Sequence, residues 1–295
     1  MKFRAKLHNS TTINKFTKII TGVSKMAKSG VLRLTPDKLF LILGDKSFGG
    51  GVSLWIELDP IRFFDDYIMD GLSALANEIY IEIMFEELLR ALKPAQQARL
   101  LKLRLIKKHN NPCLSIDTEV ISSAMTERQF SCDIPIHLLA HKHWIDFQAP
   151  NIPPCDITIT IPKLKTLKNI IDRMKAMCNF VTLQANKSGD MTVKIETDTA
   201  QVATYFTGLQ DPNNDGNDLS QLGLPITQQS NTTLSSDSIE TVEVRLDIKK
   251  FAQLLHSQQP HAEKMVFNFC NNSMLHICIV AEYFTLQCIL PSIQL

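Results

Sequence analysis

The sequence predicts an α+β protein built from two similar domains in tandem, each with a sheet backed by two helices. Two observations lead to this prediction. An apolar pattern at residues 13 to 27 occurs again, with the same spacings, at residues 164 to 178. Both copies then continue into strands, a second helix and a final hairpin in the same order. A chain of 295 residues is long enough to bury the cores of two such domains.

The composition is that of a globular protein and argues against membrane and secreted classes. Apolar residues make up 44% of the chain, and no apolar run approaches the length that a bilayer requires. The start, MKFRAKLHNS, has no apolar stretch that could serve as a signal peptide, so we expect a cytoplasmic or nuclear protein. Seven cysteines without a Cys-x-x-Cys pair indicate reduced, buried thiols rather than disulfides or zinc ligands.

Each copy of the repeated helix has one apolar face and one basic face. The apolar positions are Ile13, Phe16, Ile19, Ile20, Val23 and Ala27 in the first copy, and Leu164, Leu167, Ile170, Ile171, Met174 and Cys178 in the second. On a helix each set falls within an arc of about 120°. The opposite arcs carry Lys15, Lys18, Lys25 and Lys28 in the first copy, and Lys165, Lys168, Arg173 and Lys175 in the second.

These lysines could simply keep an exposed helix face in water, which is the usual role of charge on an amphipathic helix. An ordinary exposed face mixes acids and bases, because opposite charges four residues apart stabilise each other. Here Asp172 is the only acid on either basic face. The net charge of +1 gives no bulk signal for nucleic acid, but the position of the charges predicts a surface that suits the phosphates of a duplex.

The elements after the repeated helix also match between the halves. Residues 31 to 43 read as strand, Pro-Asp turn and strand, and residues 180 to 197 read the same way around Asn-Lys-Ser-Gly-Asp. Second helices are predicted at 85 to 93 and 247 to 256, and they add Arg90, Lys93, Lys249 and Lys250 to the basic set. Each half ends in a hairpin, where the stretches NNPCLSI and NNSMLHI align.

Two segments interrupt this symmetry. Residues 122 to 156 hold one short apolar stretch and end in a proline cluster, so we interpret them as a connector. Residues 208 to 238 are rich in Asn, Ser, Gln, Asp and Gly, which predicts a mobile loop. The predicted domains are therefore 1 to 121 and 157 to 295.

No pattern in the sequence indicates catalysis, a metal or a cofactor. His141 and His143 could face a metal from one side of a strand, but no set of partners with a known ligand spacing accompanies them. The glycine-rich SFGGGV lacks the spacing and the Lys-Ser/Thr of a phosphate-binding loop. A Gly-x-Ser-x-Gly elbow is also missing. We expect a protein that is not an enzyme and binds no nucleotide.

This order of elements resembles the DNA sliding clamps, and particular stretches resemble the Hus subunit of the nine-one-one checkpoint clamp. The stretches that carry the resemblance are MKFRAKL, LRLTPDKL, GGVSLWIEL, NEIYIEI, LLRALKPAQQARLLKLRL, PCLSI, CDIPI and VKIETD. The resemblance extends over nearly the whole chain and fails only in residues 208 to 238. The resemblance implies a clamp fold that forms one third of a ring, with sheets outside and basic helices lining the hole.

The same resemblance implies partners and a location. They are two paralogous clamp subunits, double-stranded DNA held through non-specific phosphate contacts, an ATP-driven clamp loader, and repair and checkpoint-signalling proteins in the nucleus. A homotrimeric replicative clamp shares the fold and the basic helices, so it stays the alternative. Self-association of the purified chain distinguishes the two.

Two further surfaces follow from the resemblance. Clamp subunits join by sheet extension, and the matching edges here are residues 112 to 120, with Leu114, Ile116 and Val120, and residues 200 to 206, with Val202, Thr204 and Phe206. Clamps also bind client peptides beside the connector, and the matching residues are Ile134, Ile136, Leu138, Pro291 and Ile293. The alternative for the connector residues is that they only cover the sheet beneath.

Overall fold

Most of the chain has a defined place in the computed structural model, which describes residues 1–44, 51–121, 127–149, 152–161, 164–209, 241–257 and 264–294. The chain divides into two compact units, one of Met1–Gly49 with Leu54–Ala149 and one of Gly50–Ser53 with Pro150–Leu295. The loop predicted at 208 to 238 lies, from residue 210 onward, outside the described residues.

The first unit alternates strands with short helices, and its paired strands are antiparallel. In chain order its elements are β1 (Lys2–Leu7), α1 (Ser10–Met26), β2 (Ser29–Leu34), β3 (Leu39–Leu43), β4 (Ser53–Leu58), α2 (Pro60–Phe63), β5 (Asp66–Asp70), β6 (Ile79–Met84), α3 (Phe85–Leu92), β7 (Ala98–Lys108), β8 (Asn111–Ile121), β9 (Glu127–Pro135) and β10 (His137–Leu138). The strand orders are β5-β1-β7-β8-β9 and β10-β6-β2-β3-β4. Two 3-10 helices, Lys93–Gln97 and His141–Phe147, complete the unit.

The second unit repeats this arrangement. Its elements are β11 (Ile157–Thr160), α4 (Leu164–Lys175), β12 (Phe180–Asn186), β13 (Met191–Glu196), β14 (Gln201–Phe206), β15 (Thr241–Asp247), α5 (Ile248–Ser257), β16 (Lys264–Cys270), β17 (Met274–Val280) and β18 (Phe284–Pro291). The order β15-β12-β13-β14 matches β6-β2-β3-β4, and β11-β16-β17-β18 matches β1-β7-β8-β9. The prediction of a repeated α+β fold is therefore confirmed for eight strands of each unit, and β5 and β10 have no counterpart in the described part of the second unit.

Helix α1 forms where the sequence places an N-cap before an apolar stripe. The Asn9 side chain accepts a hydrogen bond from the Thr11 N–H at 2.8 Å, which satisfies one of the free donors of the first turn. All six apolar positions predicted for this copy are buried, and α1 packs on α3. In α4, which packs on α5, three of the six positions are buried and three are half-buried. The two helices of each unit thus cover its core with their apolar sides.

Gly30 sets how closely α3 approaches strand β2. A Cβ atom at this position would lie 2.6 Å from the Phe85 ring, closer than carbon atoms pack. The Phe85 N–H donates to the Lys28 carbonyl at 2.9 Å, so the helix begins directly on the strand. The glycine is therefore required by the contact with Phe85.

The segment predicted as a connector contains strands in the described part. Strand β9 pairs with β8 from Glu127 to Pro135, β10 pairs with β6, and both belong to the first unit. The side chains of β9 are mostly polar and only Ile134 is buried among those described, so the backbone ladder forms without an apolar pattern. Sequence periodicity cannot reveal a strand of this kind.

Among the described residues, no helix combines the length and the apolar character needed to cross a membrane. The seven cysteines are free thiols, and five of them are buried: Cys113, Cys155, Cys270, Cys278 and Cys288. Cys178 is half-buried. Cys132, on β9, is exposed, so the prediction of buried thiols is wrong at this position.

Candidate nucleic-acid interface

The exposed side of α1 is basic, opposite its buried stripe. Lys18, Lys25 and Lys28 are exposed and Lys15 is half-buried. The helix contains no acidic residue, and Lys25 in its last turn also interacts favourably with the C-terminal end of the helix dipole. Lys28 lies beyond the C-cap, where the chain turns into β2.

The exposed side of α3 has a mixed charge. Arg90 and Lys93 are exposed as predicted, but Glu86 and Glu87 occupy the first turn of the same short helix. The Arg90 guanidinium lies 3.8 Å from the Glu86 carboxylate. Helix α3 therefore contributes less positive charge than the sequence analysis assigns to it.

The exposed side of α4 and α5 is basic around one acid. Lys165, Arg173 and Lys175 are exposed and Lys168 is half-buried. Asp172 accepts a hydrogen bond from His256 Nε2 at 2.7 Å when that nitrogen is protonated, which links α4 to α5, and it also lies 3.8 Å from Lys175 Nζ. Asp172 therefore already has two side-chain partners, His256 and Lys175.

The start of α5 holds the last two predicted lysines. The Lys249 and Lys250 N–H groups both donate to the Asp247 carboxylate, at 2.8 and 3.1 Å, which caps the helix. The Lys249 side chain is exposed and Lys250 is half-buried. Each unit therefore presents lysines on its own helix pair, and their contact with DNA stays a prediction.

The predicted subunit edge at residues 112 to 120 is wrong. Strand β8 is interior, because it pairs with β7 on one side and β9 on the other. Leu114 and Ile116 are buried in the sheet and Val120 is half-buried. Within the described part of the first unit, the strand at the end of this sheet is β9.

The predicted edge at residues 200 to 206 corresponds to β14, which ends its sheet in the described part of the second unit. Val202, Thr204 and Phe206 are half-buried, and Tyr205 on the opposite face is 73% exposed. The backbone at this edge can accept another strand. Its role as a subunit interface stays a prediction.

The residues assigned to a client pocket differ in burial. Ile134 is only 2% exposed and packs in the core, so it covers the sheet rather than a surface. Ile136 and Leu138 are half-buried in the first unit, and Pro291 and Ile293 are half-buried in the second. Ile136 is held by its N–H, which donates to the Pro112 carbonyl at 3.2 Å.

An aromatic contact that the sequence analysis missed fixes the segment after β10. The ring of Trp144 packs on Tyr80 of β6, in a small apolar cluster with Val31 and Ile42. The Trp144 indole N–H donates to the Leu139 carbonyl at 3.0 Å, which closes the turn. A tryptophan inside a polar segment was the one available signal for this anchor.

Arg33 supports the same cluster from β2. Its guanidinium makes two hydrogen bonds to Glu78, both at 2.9 Å, and lies 5.6 Å from the centre of the Tyr80 ring. The hydrogen bonds from Arg33 lower the pKa of Glu78, and burial raises the pKa of Tyr80 to about 12. The Trp144–Tyr80 stack therefore lies beside the Arg33–Glu78 ion pair.

In the part of the chain that the structure describes, no three His, Cys, Asp or Glu side chains converge as metal ligands. His141 and His143 are both exposed, and the His141 ring contacts Trp144 at 4.7 Å between centroids.

Comparison with known proteins gives a consistent result over the full length. The family described as Hus1-like protein matches residues 1–294. Human Checkpoint protein HUS1 is 40% identical over 295 residues, with all of both chains covered. The Schizosaccharomyces pombe Checkpoint protein hus1 is 26% identical over 286 residues, covering 97% of this chain and 93% of that protein.

Solved structures of PCNA share the architecture. The protein from Thermococcus kodakaraensis matches with a TM-score of 0.67 at 15% identity, covering 98% of this chain and 99% of its own. The protein from Entamoeba histolytica matches with a TM-score of 0.69 at 13% identity, with 99% of both chains covered. At these identities the likeness concerns the fold alone. Together with the basic helix faces and the repeated sheets, these matches show that the chain belongs to the Hus1-like protein family and has the fold of the sliding clamps.

Proposed function

We propose that this protein is a non-enzymatic subunit of a heterotrimeric checkpoint sliding clamp that encircles DNA at damage sites. In this role it is a platform for checkpoint-signalling and repair proteins in the nucleus. In this proposal an ATP-driven loader places the ring on DNA.

The observation that supports DNA binding is the basic helix face that each unit presents. Exposed lysines on α1 and α4 sit opposite buried stripes, so their long side chains extend into solvent from a rigid helix. Such charges attract phosphates without reading bases, and binding releases counterions. A protein held in this way can move along a duplex of any sequence.

The observation that supports two different partners is the unlike chemistry of the β9 and β14 edges. Strand β9 carries Arg128 and Asp133, whereas β14 has the uncharged sequence QVATYF. If copies of this chain paired β9 with β14, charged residues would face a neutral strand and gain no ionic partner. The family match also favours the checkpoint clamp over the homotrimeric replicative clamp.

Two measurements on the full chain test this function. Light scattering on the purified protein is expected to give the mass of a monomer, and co-expression with two paralogous clamp subunits is expected to give a complex with one copy of each. Once loaded, that complex should stay on circular DNA and be lost when the circle is cut. A self-assembled trimer would favour the replicative alternative, and equal retention on linear DNA with free ends would contradict encirclement.

A further inference from the structure

Two buried thiols meet where the chain enters the second unit. Cys155 lies just before β11 and Cys270 ends β16, and their Sγ atoms are 3.3 Å apart. The side chains are 7% and 5% exposed. Both cysteines belong to the same unit, and the strands beside them are paired from Ile157↔Phe269 onward.

The backbone around this thiol pair is fixed on both strands. The Asp156 N–H donates to the Phe269 carbonyl at 2.8 Å, and the Asn271 N–H donates to the Asp156 carboxylate at 2.8 Å. A disulfide has a sulfur–sulfur length of about 2.05 Å, so the two atoms need to approach by little more than about 1 Å. A side-chain rotation of this size is compatible with the hydrogen bonds that hold the two strands.

The two sulfurs are joined by a hydrogen bond, in which the Cys270 thiol donates to Cys155 Sγ. Each sulfur therefore lies where it can attack an oxidised form of the other. By contrast, burial raises the pKa of Cys278 to about 12 and also raises the pKa of Cys288, so these two thiols remain protonated.

We propose that Cys155 and Cys270 are a reversible oxidation site, which a hydroperoxide converts into an intramolecular disulfide. The thiolate of one cysteine attacks a peroxide oxygen, the O–O bond breaks, and hydroxide leaves as that cysteine becomes a sulfenic acid. The sulfur of the second cysteine then attacks the sulfenic sulfur, the S–O bond breaks, and the departing hydroxide takes the second thiol proton as water. Two thiols lose two electrons in total, and hydrogen peroxide is reduced to two waters.

The disulfide would fasten the segment that enters the second unit to the end of β16. The two cysteines are 115 residues apart, so the bond closes a long loop and reduces the conformational freedom of the unfolded chain. The oxidised protein is therefore expected to melt several degrees above the reduced protein, and the difference should vanish with a thiol reductant.

The site can be tested by oxidising the reduced, full-length chain with hydrogen peroxide and mapping each cysteine. Free thiols are alkylated, disulfides are then reduced and labelled with a second reagent, and peptides are identified by mass spectrometry. We expect Cys155 and Cys270 to carry the second label together, and Cys278 and Cys288 to carry the first. The exposed Cys132 reports that the peroxide dose was sufficient, because its thiol is accessible to the reagent.

Serine variants show which thiol reacts with the peroxide and which one resolves the product. In at least one of Cys155→Ser and Cys270→Ser, the remaining cysteine is expected to stop at the sulfenic acid, which dimedone traps, and neither variant should form the intramolecular disulfide. The proposal is overturned if Cys155 and Cys270 of the unmutated chain still take the first label once Cys132 is oxidised, or if either one pairs with another cysteine.

Discussion

The Trp144 indole lies stacked on the Tyr80 ring, with centroids 4.6 Å apart and planes inclined by 22°. A side-chain amide completes the contact, since Gln148 Nε2 donates to the Tyr80 hydroxyl at 3.1 Å. Residues 139 to 148 are therefore bound to β6 by aromatic packing and hydrogen bonds. Any client that binds beside this segment meets a surface whose backbone is already ordered.

Replacing Trp144 by alanine should release this segment. We expect the free energy of unfolding to fall by about 3 kcal/mol, because the ring fills a buried position and its stack with Tyr80 is lost. Urea unfolding measures the loss, and limited proteolysis should cut residues 139 to 148 faster. Tyr80→Phe is the matched control: it keeps the stacked ring, removes the hydroxyl with its hydrogen bonds to Gln148 and Glu78, and should cost about 2 kcal/mol. Unchanged proteolysis of Trp144→Ala would contradict the anchor.

Charge reversal tests the basic helix faces. Changing Lys18, Lys25 and Lys168 to glutamate should reduce DNA retention by the assembled clamp. The plot of log affinity against log salt should also become less steep, by about 0.9 for each phosphate contact that is lost. Filter binding or anisotropy over a salt series measures this slope.

The control for that experiment reverses Lys107, Lys142 and Lys187, which are exposed outside α1, α3, α4 and α5. Both triple variants change the net charge equally, and both should melt close to the unmutated protein because exposed charges contribute little to folding. An equal loss of DNA binding in the two variants would show that only net charge matters.

Proline scanning tests strand β9 as the assembly edge. Successive N–H groups of a strand point to opposite sides, so of Ser131→Pro and Cys132→Pro one removes a donor that faces β8 and the other a donor at the open edge. We expect the variant that loses the donor at the open edge to melt normally and to lose subunit affinity by at least about tenfold. Ile116→Pro, in the interior strand β8, should unfold the first unit. If both β9 variants assemble normally, β9 is not the edge.

Two connector positions separate client binding from folding. Ile136→Glu places a charge at a half-buried site and should weaken binding of client peptides more than ring assembly. Ile134→Glu buries an unpaired carboxylate and should destabilise the fold by several kcal/mol, about the cost of an uncompensated charge. Peptide titration and thermal melting are the two measurements. Normal peptide binding by Ile136→Glu would remove this residue from the client surface.

The stability of the second unit should fall in mild acid because of His276. Burial lowers the pKa of this residue to about 4, while the unfolded chain has a pKa near 6.5. Between these values the unfolded state binds the extra proton, so stability is complete above the upper value, is lost as pH falls through the window, and levels off below it. The total effect is about 3 kcal/mol. Urea unfolding over this pH range should show the slope in the unmutated chain and a reduced slope in His276→Gln.

The sequence predicted the two halves of the fold because helix stripes and strand turns recur with a fixed spacing. It did not predict the turn geometry. The aligned stretches NNPCLSI and NNSMLHI form different hairpins: His109 and Asn110 have φ of 48° and 69° in a two-residue turn, whereas Asn272 alone is left-handed, at 52°, in a three-residue turn. The two turns differ by one residue because the strands of the two hairpins pair in different registers. A side-chain pattern does not specify this register.

The candidate site was predicted in part for a similar reason. Lysines on long amphipathic helices give a periodic signal, so their exposure on α1 and α4 could be anticipated. The open edge could not, because β9 is a mostly polar strand and its place is set by backbone pairing with β8. The Cys155 and Cys270 thiols meet only in three dimensions, since they are 115 residues apart and share no motif.

The strand order of the repeats also affects how the protein emerges from the ribosome. In each unit the first strand pairs with a strand made about a hundred residues later, as in Arg4↔Arg104 and Ile157↔Phe269. Until that partner is synthesised, β1 exposes Phe3, Ala5 and Leu7 from a nascent chain. Helix α1 follows immediately and can form locally, so it can cover this apolar strand during synthesis. In the second repeat, β11 is likewise without its partner β16 during synthesis, but by then the first unit has already been made.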